Sequence, residues 1–208
     1  QLPGVRDPKA VKNAIGMTGR VEYRLVDGPL TAKAEQLVTE GKVKLEPDYS
    51  NVESVKEKLA AEIQLPADRE LLYFYDRDEN TKKIFPANPI VLEKAVALAG
   101  SDIAAAAPGY DDYGRLCVSF TTTAEGAAKF AEATSKKNHG RQLAIVIDEK
   151  VRSAPALNVQ INTGKAIIEG SFTQDEVNML VRIIKEGALP VDLKITQESS
   201  VGPSPAQD

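Results

Sequence analysis

The residue types best suited to catalysis are scarce in this chain. It has one histidine, His139, and one cysteine, Cys117. A nucleophile needs a base beside it and a metal ion needs several ligands, so single residues of these types form neither kind of site. The sequence also has no glycine-rich phosphate loop. We therefore predict no catalytic residue, no cofactor site and no metal site, and a carboxylate-dependent soluble enzyme is the one enzymatic alternative left.

Two short carboxylate clusters could supply that chemistry, at residues 76–79 and 111–112. The first lacks the central glycine and terminal glutamate of a calcium-binding EF-hand. The second precedes Tyr113 and a glycine, which is typical of a solvated turn. His139 follows two lysines where a predicted helix ends, and cations stabilise that end of a helix. Cys117 alternates with apolar residues, as a small buried side chain does. Structural roles are favoured for all of them.

The elements that would hold these side chains form a regular series after residue 114. Alternating apolar residues predict a strand at 116–120, and the capping box Thr122-x-x-Glu125 predicts that a helix follows. A continuous apolar run at 143–147 predicts a buried strand, with a tight turn directly after it.

The same order then repeats. A strand is predicted at 165–169, the capping box Thr173-x-x-Glu176 begins another helix, and residues 193–195 supply a last strand. This order of elements predicts an α+β fold of ferredoxin-like split βαβ type, in which an antiparallel sheet carries helices on one face.

The first half of the chain has a more helical character. An apolar stripe on residues 52–63 follows the capping-box pattern Ser50-x-x-Glu53 and predicts a helix. Alternation and apolar runs predict strands at 21–26, 71–75 and 90–92. We expect Pro86 and Pro89 to interrupt strand pairing, because proline has no backbone N–H to donate.

The composition fits a folded domain without a basic surface. The 208 residues are 42% apolar and 27% charged, which is enough to bury a core. We assign residues 1–27 and 89–208 to an α+β head domain, and residues 28–88 to an inserted or extended helical lobe of it. The formal charge of −4 argues against nucleic acid as a partner. An RNA-binding ferredoxin-like module ranks last, because residues 143–148 contain no aromatic side chain for stacking on bases.

Four stretches of the sequence together resemble one protein family. They are residues 2–8 (Leu-Pro-Gly-Val-Arg-Asp-Pro), residues 22–27 (Glu-Tyr-Arg-Leu-Val-Asp), the series from 114 to 190, and residues 201–204 (Val-Gly-Pro-Ser). In this order they are similar to the first large extracytoplasmic domain of the SecD family, a membrane subunit of the bacterial protein-export machinery. The family's domain has a base near the membrane and a mobile head. The resemblance implies that this chain is mostly the head, with stubs of base strand at both ends.

The resemblance also implies a location, a set of partners and an activity. The intact protein would lie in the cell inner (cytoplasmic) membrane, with this domain on the periplasmic side and attached to the membrane only through flanking helices that are absent here. It would bind the emerging unfolded secretory preprotein and act with SecF and the SecYEG channel. Movement of the head would assist export driven by the proton gradient. No cofactor is implied, and an alternative is a docking module without direct substrate binding.

A binder of unfolded chains should combine a shallow apolar cleft with exposed strand edges. Around residues 151–172 the Ala-Pro pair at 154–155 blocks continuous pairing and would leave an edge open. The candidate peptide-binding residues are Val151, Ser153, Pro155, Leu157, Ile161 and Phe172. The candidate hinge residues, which lie near both crossings between head and base, are Pro3, Gly4, Gly202 and Pro203.

Overall fold

The computed structural model describes residues 18–186 of the chain. Within that range it contains nine strands and four α-helices. In chain order they are β1 (Val21–Leu25), α1 (Gly28–Thr39), α2 (Val52–Glu62), β2 (Arg69–Arg77), β3 (Ile84–Glu93), β4 (Leu98–Ala99), β5 (Ile103–Tyr110), β6 (Leu116–Thr122), α3 (Ala124–Ala133), β7 (Leu143–Ile147), β8 (Lys150–Ser153), β9 (Lys165–Ile168) and α4 (Gln174–Glu186).

Six strands form the larger of two sheets, in the order β3-β2-β8-β7-β1-β4. Neighbouring strands are antiparallel except for β2 and β8, which run parallel and pair at Phe74 and Val151. Just after β1, Val26 forms a bridge with Leu92 of β3. The larger sheet therefore curls until its first and fifth strands meet. Its concave face encloses an apolar cluster made of Val26, Leu72, Ile90, Leu92, Ala144, Val146 and Val151.

The smaller sheet is antiparallel and has the order β5-β6-β9, so β9 is an edge strand. The main core joins both sheets to α3 and α4. Strand β7 contributes side chains to both the main core and the concave cluster. Leu143, Ile145 and Ile147 face the main core, whereas Ala144 and Val146 face the concave cluster. All five residues are buried, which accounts for the unbroken apolar run in the sequence.

Helices α1 and α2 cover the outer face of β2 and β3. Ala34 and Leu59 are fully buried there and pack with Leu71, Tyr73 and Val91. This packing gives the helical residues of the 28–88 segment their core. Strand β2 also lies in that segment, and it belongs to the same sheet as β7 and β8. The division of the chain into a head and a lobe stays a prediction.

The helix starts confirm one sequence prediction and correct two. The backbone N–H groups of Thr173 and Glu176 bond reciprocally to each other's side-chain oxygens at 3.2 and 3.3 Å, which confirms that capping box. Helix α3 is capped by Thr123 rather than by Thr122, which is the buried last residue of β6. Helix α2 is preceded by Asn51, not Ser50, and no side chain caps it.

The α+β class is confirmed, but the ferredoxin-like split βαβ arrangement is not. That arrangement would place the four strands of the second half in one sheet, whereas β6 and β9 lie in the smaller sheet and β7 and β8 in the larger one. Pro86 and Pro89 do not end the strand, because β3 runs through both, but the pairing register between β2 and β3 shifts by one residue between the two prolines. Strand β3 is at the end of the sheet order, where a missing N–H donor costs no pairing on the open side. The predicted strand at 193–195 lies outside the described residues.

Candidate functional site

An open apolar cleft of about 400 Å³ lies between the two sheets. Strand β7 and edge strand β9 form opposite sides of it, and the loop that follows β8 forms its rim. Val159 on this rim is 71% exposed, so its side chain is accessible from the cleft. We call this space the cleft, and its lining is Tyr23, Phe130, Leu143, Ile145, Pro155, Ala156, Leu157, Asn158, Val159, Ile161, Ala166, Ile167 and Glu169.

Aromatic side chains form the deepest part of the cleft. The rings of Tyr23 and Phe130 meet edge to face with centroids 5.4 Å apart, and Phe120 lies 6.0 Å from Tyr23. The Tyr23 hydroxyl donates to the carbonyl oxygen of Ile167 at 2.6 Å. Burial, with added repulsion from the Glu169 carboxylate, raises the pKa of Tyr23. The hydroxyl therefore remains a neutral donor, and the rings of Tyr23 and Phe130 give this part of the cleft an apolar lining.

A more polar groove of about 520 Å³ adjoins the cleft. Both spaces are lined by Pro155 and Glu169, so they lie next to each other. The groove presents amide, hydroxyl and carboxylate groups, including those of Asn88, Gln142 and Ser153. Such groups can bond to a peptide backbone, whereas the cleft accommodates apolar side chains.

A network of two arginines and one glutamate holds the loop between β9 and α4, which lies beside the groove. The Arg152 side chain is only 4% exposed and contacts Glu176 at 3.1 Å and the carbonyl oxygen of Ser171 at 3.2 Å. Arg77 pairs with Glu176 as well and donates to the same carbonyl at 2.9 Å. The Arg152 guanidinium also lies 5.0 Å from the ring centre of Phe172. Burial lowers the pKa of Arg152, which the Glu176 carboxylate partly offsets. The loop is thus fixed to β2 and β8.

Comparison with known proteins assigns this architecture to a family. Residues 71–191 match the family described as SecDF, P1 head subdomain. The chain belongs to this family. The protein translocase subunit SecD of Magnetococcus marinus is 34% identical over 208 residues, and that of Desulfurispirillum indicum is 32% identical over 209. Both alignments cover 100% of this chain but only 34% and 36% of the relative, so the chain spans about a third of their length.

Solved structures agree with this assignment. A SecDF structure described as a membrane component that enhances protein export is 27% identical and matches with a TM-score of 0.50, covering 92% of this chain and 74% of that one. SecDF in a super-membrane-facing form is 26% identical, with a TM-score of 0.52, and covers 88% of this chain and 21% of that one. The SecD family resemblance seen in the sequence is therefore confirmed.

Four of the six predicted peptide-binding residues lie where this P1 head is open. Pro155 lines both the cleft and the groove, Ser153 lines the groove, and Leu157 and Ile161 line the cleft. Leu157 is 6% exposed, so it offers little of its surface. As a peptide-binding set, these residues stay a prediction.

The other two residues are placed differently. Val151 is fully buried in the concave cluster, because its side chain lies on the enclosed face of β8, and it cannot touch a bound chain in this conformation. Phe172 lines neither space and packs against the main core and Arg152. Pro3, Gly4, Gly202 and Pro203, the predicted hinge residues, lie outside the described residues.

Sequence reasoning did not single out Tyr23, Phe130 or Glu169 as site residues of the P1 head. Each belongs to an element that the sequence predicts, but three distant segments must come together to form the cleft. Among residues 18–186, no helix is long and apolar enough to cross a membrane, and no three histidine, cysteine or acidic side chains group as metal ligands.

Proposed function

We propose that this P1 head binds apolar segments of an unfolded secretory preprotein in the cleft. The observation that carries the proposal is an open apolar cleft beside the edge strand β9, with a polar groove next to it. An unfolded chain offers apolar side chains together with unpaired backbone groups, and the two spaces match these two needs.

The expected affinity is modest. Burying one or two large apolar side chains gains about 1.5–3 kcal/mol each, and ordering a flexible chain opposes that gain. The dissociation constant should therefore be micromolar or larger, so the binding free energy should be no more favourable than about −8 kcal/mol. Weak binding suits a translocation aid, because it must release the segment that it holds.

The relatives, which are protein translocase subunits, support the setting that we propose. The head acts on the periplasmic side of the inner membrane, within a longer protein that works with SecF and the SecYEG channel. It moves relative to the membrane part about hinges at Pro3, Gly4, Gly202 and Pro203, and so assists export driven by the proton gradient. A disulfide that restrains both hinges in the full-length protein should reduce export without changing the fold.

Site-specific photocrosslinking in the full-length protein tests the proposal. Crosslinkers at Val159 and Ile161 should label a secretory substrate during export, because both residues line the cleft. Lys58, which is exposed on α2, is the control position and should not label. Labelling at Lys58 alone would move the binding site to the helices. No labelling at any position would favour the alternative, a docking module without direct substrate binding.

A further inference from the structure

A carboxylate stands where the cleft and the groove meet. Glu169, directly after β9, lines both spaces and is half-buried. Its side chain makes no hydrogen bond or ion pair with any residue in the range 18–186. Burial is the main cause that raises the pKa of Tyr23 and of Cys117, and the Glu169 carboxylate adds to both effects. A carboxylate in this position attracts a cationic group that binds beside it.

The nearby cations are already paired. Arg152 and Arg115 also line the groove. Arg152 bonds to Glu176 at 3.1 Å, and Arg115 bonds to Asp111 at 2.9 Å. Within the part of the chain that the structure describes, Glu169 therefore has no cationic partner, and its carboxylate can pair with a cation of a bound molecule.

We infer that the site selects polypeptide segments in which an apolar side chain is followed or preceded closely by lysine or arginine. This inference rests on the proposed function. The apolar side chain enters the cleft, the backbone continues into the groove, and the cationic side chain lies at the junction beside Glu169. The basis is charge complementarity, since the carboxylate of Glu169 lines both the apolar cleft and the polar groove and would lie beside a chain that occupies both.

A matched pair of peptides tests the inference. Both are fluorescent, share an apolar core, and differ only in one lysine replaced by glutamine next to that core. Their binding to the full-length protein is followed by fluorescence anisotropy. The lysine peptide should bind about three- to fivefold more tightly, which is the range for a partly exposed ion pair. Because salt screens such pairs, the difference should disappear at high ionic strength.

Variants assign the preference to one residue. Glu169→Gln should remove the preference for the lysine peptide over the glutamine peptide, and Glu169→Lys should reverse the preference towards a glutamate peptide. Glu57→Gln makes the same change of charge on the exposed face of α2 and should leave the preference intact.

The outcomes separate the two proposals. Equal binding of the two peptides to the unaltered protein, or a preference that survives Glu169→Gln, would overturn the inference and leave apolar binding standing. Failure of both peptides to bind would overturn the proposed function itself.

Discussion

The hydroxyl of Tyr23 donates a 2.6 Å hydrogen bond to the carbonyl oxygen of Ile167 and so joins the two sheets. Tyr23 belongs to β1 of the larger sheet and Ile167 to β9 of the smaller one. Both residues line the cleft, so the bond links β1 to β9 within its lining. This hydrogen bond therefore adds a polar contact to the apolar core that joins the two sheets.

Removing this hydroxyl should destabilise the fold. Tyr23→Phe keeps the ring packing but leaves the Ile167 carbonyl without its donor, and we expect a loss of about 1–2 kcal/mol in the free energy of unfolding. Urea denaturation provides the measurement. Tyr73→Phe is the control, because the Tyr73 ring is buried under α1 and α2 but its hydroxyl bonds to no residue of the described range. Equal losses in the free energy of unfolding of both variants would show that the Tyr23–Ile167 hydrogen bond does not stabilise the fold.

The local structure of this protein follows well from its sequence. The unbroken apolar run of β7 predicts a strand buried on both faces, and the Thr173 capping box marks the helix start correctly. Both signals depend on neighbours within a few residues, so they survive without knowledge of the rest of the fold.

Sheet membership does not follow in the same way. Strands β7 and β9 are both short and apolar, yet they belong to different sheets. Val151 and Arg152 are adjacent and both buried, so no alternation of polarity indicates which one faces a cavity. Prediction of the peptide-binding residues fails at Val151 for this reason. The cleft becomes visible only when β1, β7 and β9 are placed together.

The Glu176 carboxylate is predicted to stabilise the fold, because it pairs with two arginine side chains. Glu176→Gln removes the ionic partner of both Arg77 and Arg152, and the Arg152 side chain is only 4% exposed. A buried cation without its partner is costly, so we expect a loss of about 3 kcal/mol in the free energy of unfolding. Chemical denaturation checks this. Glu186→Gln, which removes an exposed pair with Arg182, should cost less than about 1 kcal/mol.

Replacement of Gly126 by alanine should destabilise the protein, although this residue lies inside helix α3. A glycine to alanine change in a helix usually stabilises a protein by about 0.5–1 kcal/mol. Here a Cβ would lie 2.7 Å from the carbonyl oxygen of Asp102, and backbone at that distance has to move. We expect Gly126→Ala to lower the melting temperature and to cost about 1–3 kcal/mol. Gly28→Ala, at the start of α1 with no atom within 4 Å of the new Cβ, should be neutral or slightly stabilising.

The contribution of Asp27 should depend on pH. Burial disfavours its charged form, but the N–H of Leu30 at 3.1 Å and the Arg69 guanidinium at 2.9 Å overcome this effect and lower the pKa of Asp27. A carboxyl whose pKa is lower in the folded state stabilises the fold fully above its unfolded pKa of about 4, and this stabilisation is lost as the pH falls through the folded value.

Asp27→Ala should therefore cost about 1 kcal/mol at pH 7, as the loss of a helix cap does, and the difference from the unaltered protein should shrink below about pH 4. Urea denaturation at a series of pH values measures both quantities. Asp112→Ala removes an exposed carboxylate that accepts no hydrogen bond within residues 18–186, so its small effect should not vary in this way. A cost for Asp27→Ala that stays constant down to pH 3 would show that the ionised carboxylate is not what stabilises the start of α1.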